Sequence, residues 1–471
     1  MACIVADGPG ANAGRLMPGF KVATIRRTPL HSPHMLPPSD NLSASMALTL
    51  AFAIALVAGL AVKFWLATRQ IRHVAQHREA VPTPFAGRIT LAAHQKAADY
   101  TITKARLGML EMALGCAVLL GWTLLGGLDA LNQSLLGVLG GGGMWQQLAL
   151  LALFVAISGL IDLPLSLYQT FVVEQRFGFN KMTLRLWLGD AIKGLLVGSV
   201  IGLPVAALIL WLMGAAGPLW WLWAWCFWMG FNLLLMVIYP TFIAPMFNKF
   251  QPLEDESLKA RVTALMQRCG FSAKGLFVMD GSRRSAHANA YFTGFGAAKR
   301  VVFYDTLLRQ LSPGEVEAVL AHELCHFKHR HIIQRIVIMF GMSLVGFALL
   351  GWLSNQVWFY AGLGVRPNIS FDPAVAAAPN DALALLLFML VLPVFSFFIS
   401  PLFSGQSRRH EFQADAYATA QASGADLSSA LLKLYEDNAS TLTPDPVYVK
   451  FYYSHPPATE RLARMLPPAH S

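Results

Sequence analysis

Seven apolar stretches constrain this chain more than any other feature. They cover about 46–67, 107–127, 145–172, 188–213, 217–243, 332–353 and 380–403. Each is near or beyond the roughly 20 residues that a helix needs to cross a bilayer. Hydrocarbon offers the backbone no partners, so each stretch is expected to be a helix that satisfies its own N–H and C=O groups. Composition agrees. Only 13% of the 471 residues are charged, against about 25% in soluble domains. The net charge is +10, but the basic residues lie between the apolar stretches. A nucleic-acid binder would cluster them among polar sequence, so no nucleic-acid partner is expected. The five cysteines contain no CxxC pair, which points away from a disulfide framework or a cysteine metal site.

Basic residues set the expected orientation. Arg69, Arg72, Arg78, Arg88, Lys96, Lys104 and Arg106 follow the first stretch, and Arg176, Lys181 and Arg185 follow the third. The connections after the second and fourth carry no Lys or Arg, and the one after the sixth carries only Arg366. The positive-inside rule then places 68–106, 173–187, 244–331 and 404–471 in the cytoplasm and the N-terminus outside. Residues 1–45 break this pattern with Arg15, Lys21, Arg26 and Arg27. They read as a disordered tail or an over-extended start rather than a signal peptide, because the apolar stretch reaches spanning length. Glu111 and Asp162 fall inside spans, so each faces a wet interior or sits near an interface. Residues 244–331 and 404–471, on one side, are expected to form one domain split by spans six and seven.

His322-Glu323-Leu324-Cys325-His326 is HExxH. On a helix, positions i and i+4 are about 40° apart, so both imidazoles face one way and fit one zinc ion. Glu323 is offset from that face but within reach of a metal-bound water. Ser312-Pro313-Gly314-Glu315 reads as a helix start with a capping box. The helix is expected to run on through His331 into the sixth span. Lys328, His329, Arg330, His331 and Arg335 read as an interface anchor.

The third ligand follows by exclusion. The long metzincin motif needs glycine at 329 and histidine at 332, where the chain has His329 and Ile332. A glutamate is the other common solution. The first glutamate after Phe327 is Glu411, with Asp415 four residues on and on the same helical face. Asp415 is placed to accept the free ring N–H of a zinc-bound histidine. Leu276–Met279, Ala290–Thr293 and Arg300–Tyr304 read as short strands of an antiparallel sheet. The bland alternative is chance histidines at a solvated helix end.

Several segments, in order, resemble the type I CAAX prenyl proteases, intramembrane gluzincin metallopeptidases. They include Arg69-Gln70-Ile71, His94 to Tyr100, Glu174 to Asn180, Ile243 to Phe250, Asn289 to Phe295, His322 to His326, Glu411 to Asp415, and Tyr453-Ser454-His455-Pro456-Pro457 with Arg461. The resemblance implies a mainly α, multi-pass membrane fold. Seven helices would surround a chamber beside a small α+β zincin-type metalloprotease domain. It implies a zinc metalloendopeptidase that removes the last three residues after a prenylated cysteine. It assigns zinc to His322, His326 and Glu411, the general base to Glu323, and oxyanion stabilisation to His455 assisted by Arg461. Asn289 and Ala290 resemble the substrate-aligning edge. Cys325 departs from the small residue, often glycine, that the family carries there.

The expected partners are one zinc ion, a peptide or protein substrate that is prenylated or membrane-associated, and the lipid bilayer. The ending Pro467 to Ser471 carries no endoplasmic-reticulum retention signal, which favours a bacterial cytoplasmic membrane with the catalytic domain facing the cytoplasm. Two other readings compete. One is a general quality-control membrane metalloprotease. The other is a non-enzymatic transporter, channel or scaffold, against which the intact HExxH and Glu411 argue.

Overall fold

The structure is a computed structural model that describes residues 38–140, 142–271, 275–293, 300–369 and 378–465. Among these, seven helices are long and apolar enough to span a membrane: Asp40–Gln76, Leu91–Trp122, Met144–Glu174, Leu184–Ala215, Gly217–Phe247, His331–Leu353 and Asp381–Gln421. All seven coincide with the apolar stretches. In five of them only 11% of the most apolar window is buried. Apolar helices left this exposed need a bilayer around them, so the molecule is a multi-pass membrane protein.

Several expectations need correction. The tail expected over 1–45 is helical from Pro38 onward, and residues 1–37 lie outside the described residues. The first turns are held by packing: Thr49 Oγ1 donates to the Gly362 carbonyl at 2.7 Å, beyond the sixth span. The second span ends at Trp122 rather than 127, and a separate helix, Gly127–Leu139, follows. Gly126, with φ +78°, makes the break in a left-handed conformation that costs glycine little. Glu111 and Asp162 both stand on exposed faces of their helices.

The cap is one core drawn from both sides of spans six and seven. Leu258, Val262, Val316, Val319 and Leu320 pack with Ala418, Leu427 and Leu434. Beside it lies a four-stranded sheet of β1 (Phe250–Pro252), β2 (Gly275–Met279), β3 (Ala290–Thr293) and β4 (Arg300–Tyr304). The order is β1-β2-β4-β3. β2 and β4 are parallel, so the sheet is mixed, not antiparallel as expected, and β1 was not foreseen. The reason lies in the link between β2 and β3. Ser282 is bonded to Asp305, and Arg284 reaches down to the fourth span. A link anchored in this way cannot close a hairpin, and β4 takes the place beside β2.

Two joints tie the cap to the spans. Arg284 pairs with Asp190 through Nε and Nη2, at 2.9 and 3.2 Å, and also donates to Asn248 and to the Phe247 carbonyl. At the end of the first span, Arg69 pairs with Asp445, and Gln70 Oε1 accepts the Asp445 N–H at 2.7 Å. Asp190 and Arg284 are both mostly shielded from solvent. Removing one partner leaves the other charge uncompensated. Arg284→Met is expected to cost about 3 kcal/mol and to lower the thermal unfolding midpoint in detergent, whereas the exposed Lys259→Met is expected to leave it unchanged.

Candidate metal centre

The HExxH residues sit on the helix Pro313–Lys328, the motif helix. Its start carries the expected capping box: Ser312 Oγ accepts the Glu315 N–H, and Glu315 Oε2 accepts the Ser312 N–H at 2.6 Å. Glu315 is held in turn by Lys433 and Ser429. Residues Glu315 to His326 are all buried. The i,i+4 spacing puts the His322 and His326 rings on one face of this buried helix, with centroids 5.4 Å apart.

Opposite them runs the helix Ser400–Gln421, the donor helix, which continues the seventh span. Glu411 Oε2 lies 3.2 Å from His322 Nε2, and Glu411 Oε1 lies 3.5 Å from His326 Nε2. One ligand atom from each of the three residues can be chosen so that all lie within 4.8 Å of one another. One turn on, Asp415 Oδ1 accepts from His322 Nδ1 at 2.9 Å. Arg461 does not stand alone beside the site. It is buried on Asp415, with Nε to Oδ2 at 2.8 Å and Nη2 to Oδ1 at 2.6 Å.

The donor chemistry fits a divalent cation. His322 Nδ1 is spent on Asp415, so Nε2 is the nitrogen that faces Glu411. Two ring nitrogens and a carboxylate converge in a buried space, which is the donor set of a zinc-type site. Glu323 Oε2 is buried without a hydrogen-bond partner among the described residues. Such an atom is costly unless something polar occupies the space before it.

Titration follows from the same geometry. Burial opposes the His322 charge, but the bonds to Asp415 and Glu411 outweigh it and push its pKa up to about 9. Burial and the neighbouring His322 push His326 down to about 3. Burial pushes the Glu323 carboxyl up to about 8 and the Cys325 thiol up to about 12. Cys325 is a fully buried packing residue.

His455 stands at the rim, its Nε2 3.4 Å from Glu411 Oε2, and its Nδ1 is 2.9 Å from Ser454 Oγ. Arg408 on the donor helix holds this loop by donating to the Val449 and Tyr453 carbonyls, at 3.0 and 2.8 Å. Asn289 is buried at the start of β3, where its Oδ1 accepts the Ala290 N–H and its carbonyl accepts the Tyr304 N–H. β3 is an edge of the described sheet.

The motif helix does not run on into the sixth span as expected. It stops at Lys328, Arg330 takes a left-handed φ of 56°, and a new helix begins at His331. His331 is not an interface anchor. It is buried, 3.1 Å from His326 Nδ1 and 2.9 Å from Gln413 Oε1. The spacing of five residues from His326 hid it, because i and i+5 diverge on a continuous helix by about 140°.

Fold and site together define a multi-pass membrane metallopeptidase. Residues 70–249 match the family described as CAAX prenyl protease N-terminal, five membrane helices, and residues 252–468 match peptidase family M48. CAAX prenyl protease 1 of Saccharomyces cerevisiae is 39% identical over 327 residues, which cover 68% of this chain and 72% of that protein. CAAX prenyl protease 1 homolog of Homo sapiens is 34% identical over 354 residues, covering 67% and 73%. The crystal structure of S. mikatae Ste24p superposes with a TM-score of 0.81 at 32% identity, over 89% of this chain and 99% of that one. The chain belongs to the M48 family of CAAX prenyl proteases, and it is a membrane metalloprotease. These relatives are eukaryotic, so they lend the bacterial-membrane expectation no support.

Metal loading is expected to be proton-coupled. Below about pH 9 the metal-free His322 carries a proton that a cation must displace, while His326 is already neutral. Affinity should therefore rise with pH by at least about tenfold per unit between pH 6 and 8, as read by chelator competition. A flat profile would contradict this protonation scheme.

Proposed function

We propose that this protein is a zinc-dependent endopeptidase that removes the C-terminal tripeptide after a prenylated cysteine. The observation that carries the reading is the convergence of His322 Nε2, His326 Nε2 and both Glu411 oxygens on one buried point. These residues would hold the ion. Zinc, when bound, supplies a Lewis acid that polarises the scissile carbonyl and acidifies a water. Glu323, in its ionised form, takes the proton of the attacking water and passes it to the leaving amine. Its buried, unpartnered oxygen supports that role. His455 donates from Nε2 to the oxyanion, with its Nδ1 engaged by Ser454. Arg461 acts through Asp415, neutralising a carboxylate that would otherwise be buried unpaired. Asn289 and Ala290 open the edge strand along which an extended peptide pairs.

The substrate class is supported by the CAAX relatives. The cap, built from 244–331 and 404–471, faces the cytoplasm. The basic end of the first span supports this, because Arg69 meets Asp445 of the cap and basic flanks mark the cytoplasmic side.

Purified protein is expected to carry one zinc per chain and to cleave a farnesylated CAAX peptide in preference to its unlipidated twin. Equal cleavage of both would favour the quality-control reading. Glu323→Gln should keep the metal and lose about 10²–10⁴-fold in turnover. Glu411→Ala should lose the metal by elemental analysis, and full occupancy would remove Glu411 from the ligand set.

A further inference from the structure

His322 has a recognisable orienting partner in Asp415, but nothing assigned so far orients His326. Its Nδ1 is 3.1 Å from Nδ1 of His331, whose Nε2 is 2.9 Å from Oε1 of Gln413. Gln413 is two residues beyond Glu411 on the donor helix. The His331 ring is clamped against His410, with centroids 4.0 Å apart and planes at 3°. It reaches His326 only because Arg330 breaks the helix with a φ of 56°. A non-glycine residue pays roughly 1–2 kcal/mol in that region, which the surrounding contacts must offset.

With Gln413 Oε1 toward His331, the protons in this chain follow. A nitrogen-to-nitrogen contact needs one donor and one acceptor. A carbonyl oxygen only accepts, so His331 Nε2 carries a hydrogen toward Gln413. The neutral His331 ring then keeps its lone pair on Nδ1 and accepts from His326 Nδ1–H. That leaves the lone pair of His326 on Nε2, the atom 3.5 Å from Glu411 Oε1. Turning the Gln413 amide round would reverse every step and put a hydrogen on His326 Nε2, where no cation could then bind.

We infer that His331 and Gln413 are positioning residues that lock His326 in its metal-binding tautomer, as Asp415 with Arg461 locks His322. The inference rests on the zinc site proposed above. The two metal imidazoles are thus held by different devices, an ion pair behind one and a neutral relay behind the other.

The test is the zinc dissociation constant of the full-length protein in detergent, by chelator competition. His331→Phe keeps a flat ring on His410 but removes the acceptor, and it should weaken zinc about 10–100-fold. His331→Gln, whose amide oxygen can accept from His326, should recover most of the affinity. Gln413→Met should weaken zinc likewise, and Gln413→Glu, which can only accept, should not. Loss in the Phe and Met variants with retention in the Gln and Glu variants supports the relay. Any other pattern overturns it, including wild-type affinity throughout or equal loss within either pair. Wild-type protein that binds no zinc would sink the proposed function itself, a result distinct from zinc-binding protein indifferent to His331.

Discussion

The catalytic half depends on one contact, the approach of a buried carboxylate on one helix to two imidazoles on another. Glu411 is almost wholly shielded from solvent and faces the Nε2 atoms of His322 and His326. A carboxylate taken out of water is strongly unfavourable unless positive charge or donors meet it. The contact therefore demands either a proton or a cation between the groups. The rest of the site keeps that demand open to a cation. Asp415 and Arg461 stand behind one imidazole, and His331 and Gln413 stand behind the other.

The membrane helices do more than anchor the cap. The donor helix continues the seventh span, and the motif helix meets the sixth across a single left-handed residue. Both halves of the metal centre are thus held by elements embedded in the bilayer. Segments that resemble the family yet hold no metal ligand build the joint. Glu174 accepts from Tyr100 at 2.7 Å. Phe179 stacks on His287 with centroids 4.3 Å apart. Asn438 accepts the Ala288 N–H. These contacts fasten the link ahead of β3 to the end of the third span and to the cap, so the edge strand has a defined place relative to the membrane helices.

What could be read from residues alone was local or strongly repetitive. Spans are legible because roughly 20 apolar residues have no other common solution. The pairing of His322 with His326 is legible because helical periodicity is a short-range rule, and the capping box at Ser312 and Glu315 is equally short-range. Glu411 was reachable because no glutamate lies between Phe327 and His410. The misses share one character. The break at Arg330, the parallel pairing of β2 with β4, and the end of the second span at Trp122 each depend on how distant segments pack.

The amino-acid order by itself therefore determined the membrane class, the number of spans and the paired histidines on one helical face. Tertiary structure alone decided which nitrogen of each imidazole faces Glu411, where Arg461 spends its charge, and that His331 meets His326. A tautomer is set by the atom across the hydrogen bond, and that atom lies 82 residues away for Gln413 and His331 and 93 for Asp415 and His322. No periodicity along a chain encodes a contact of that range, and only the packed fold brings such atoms together.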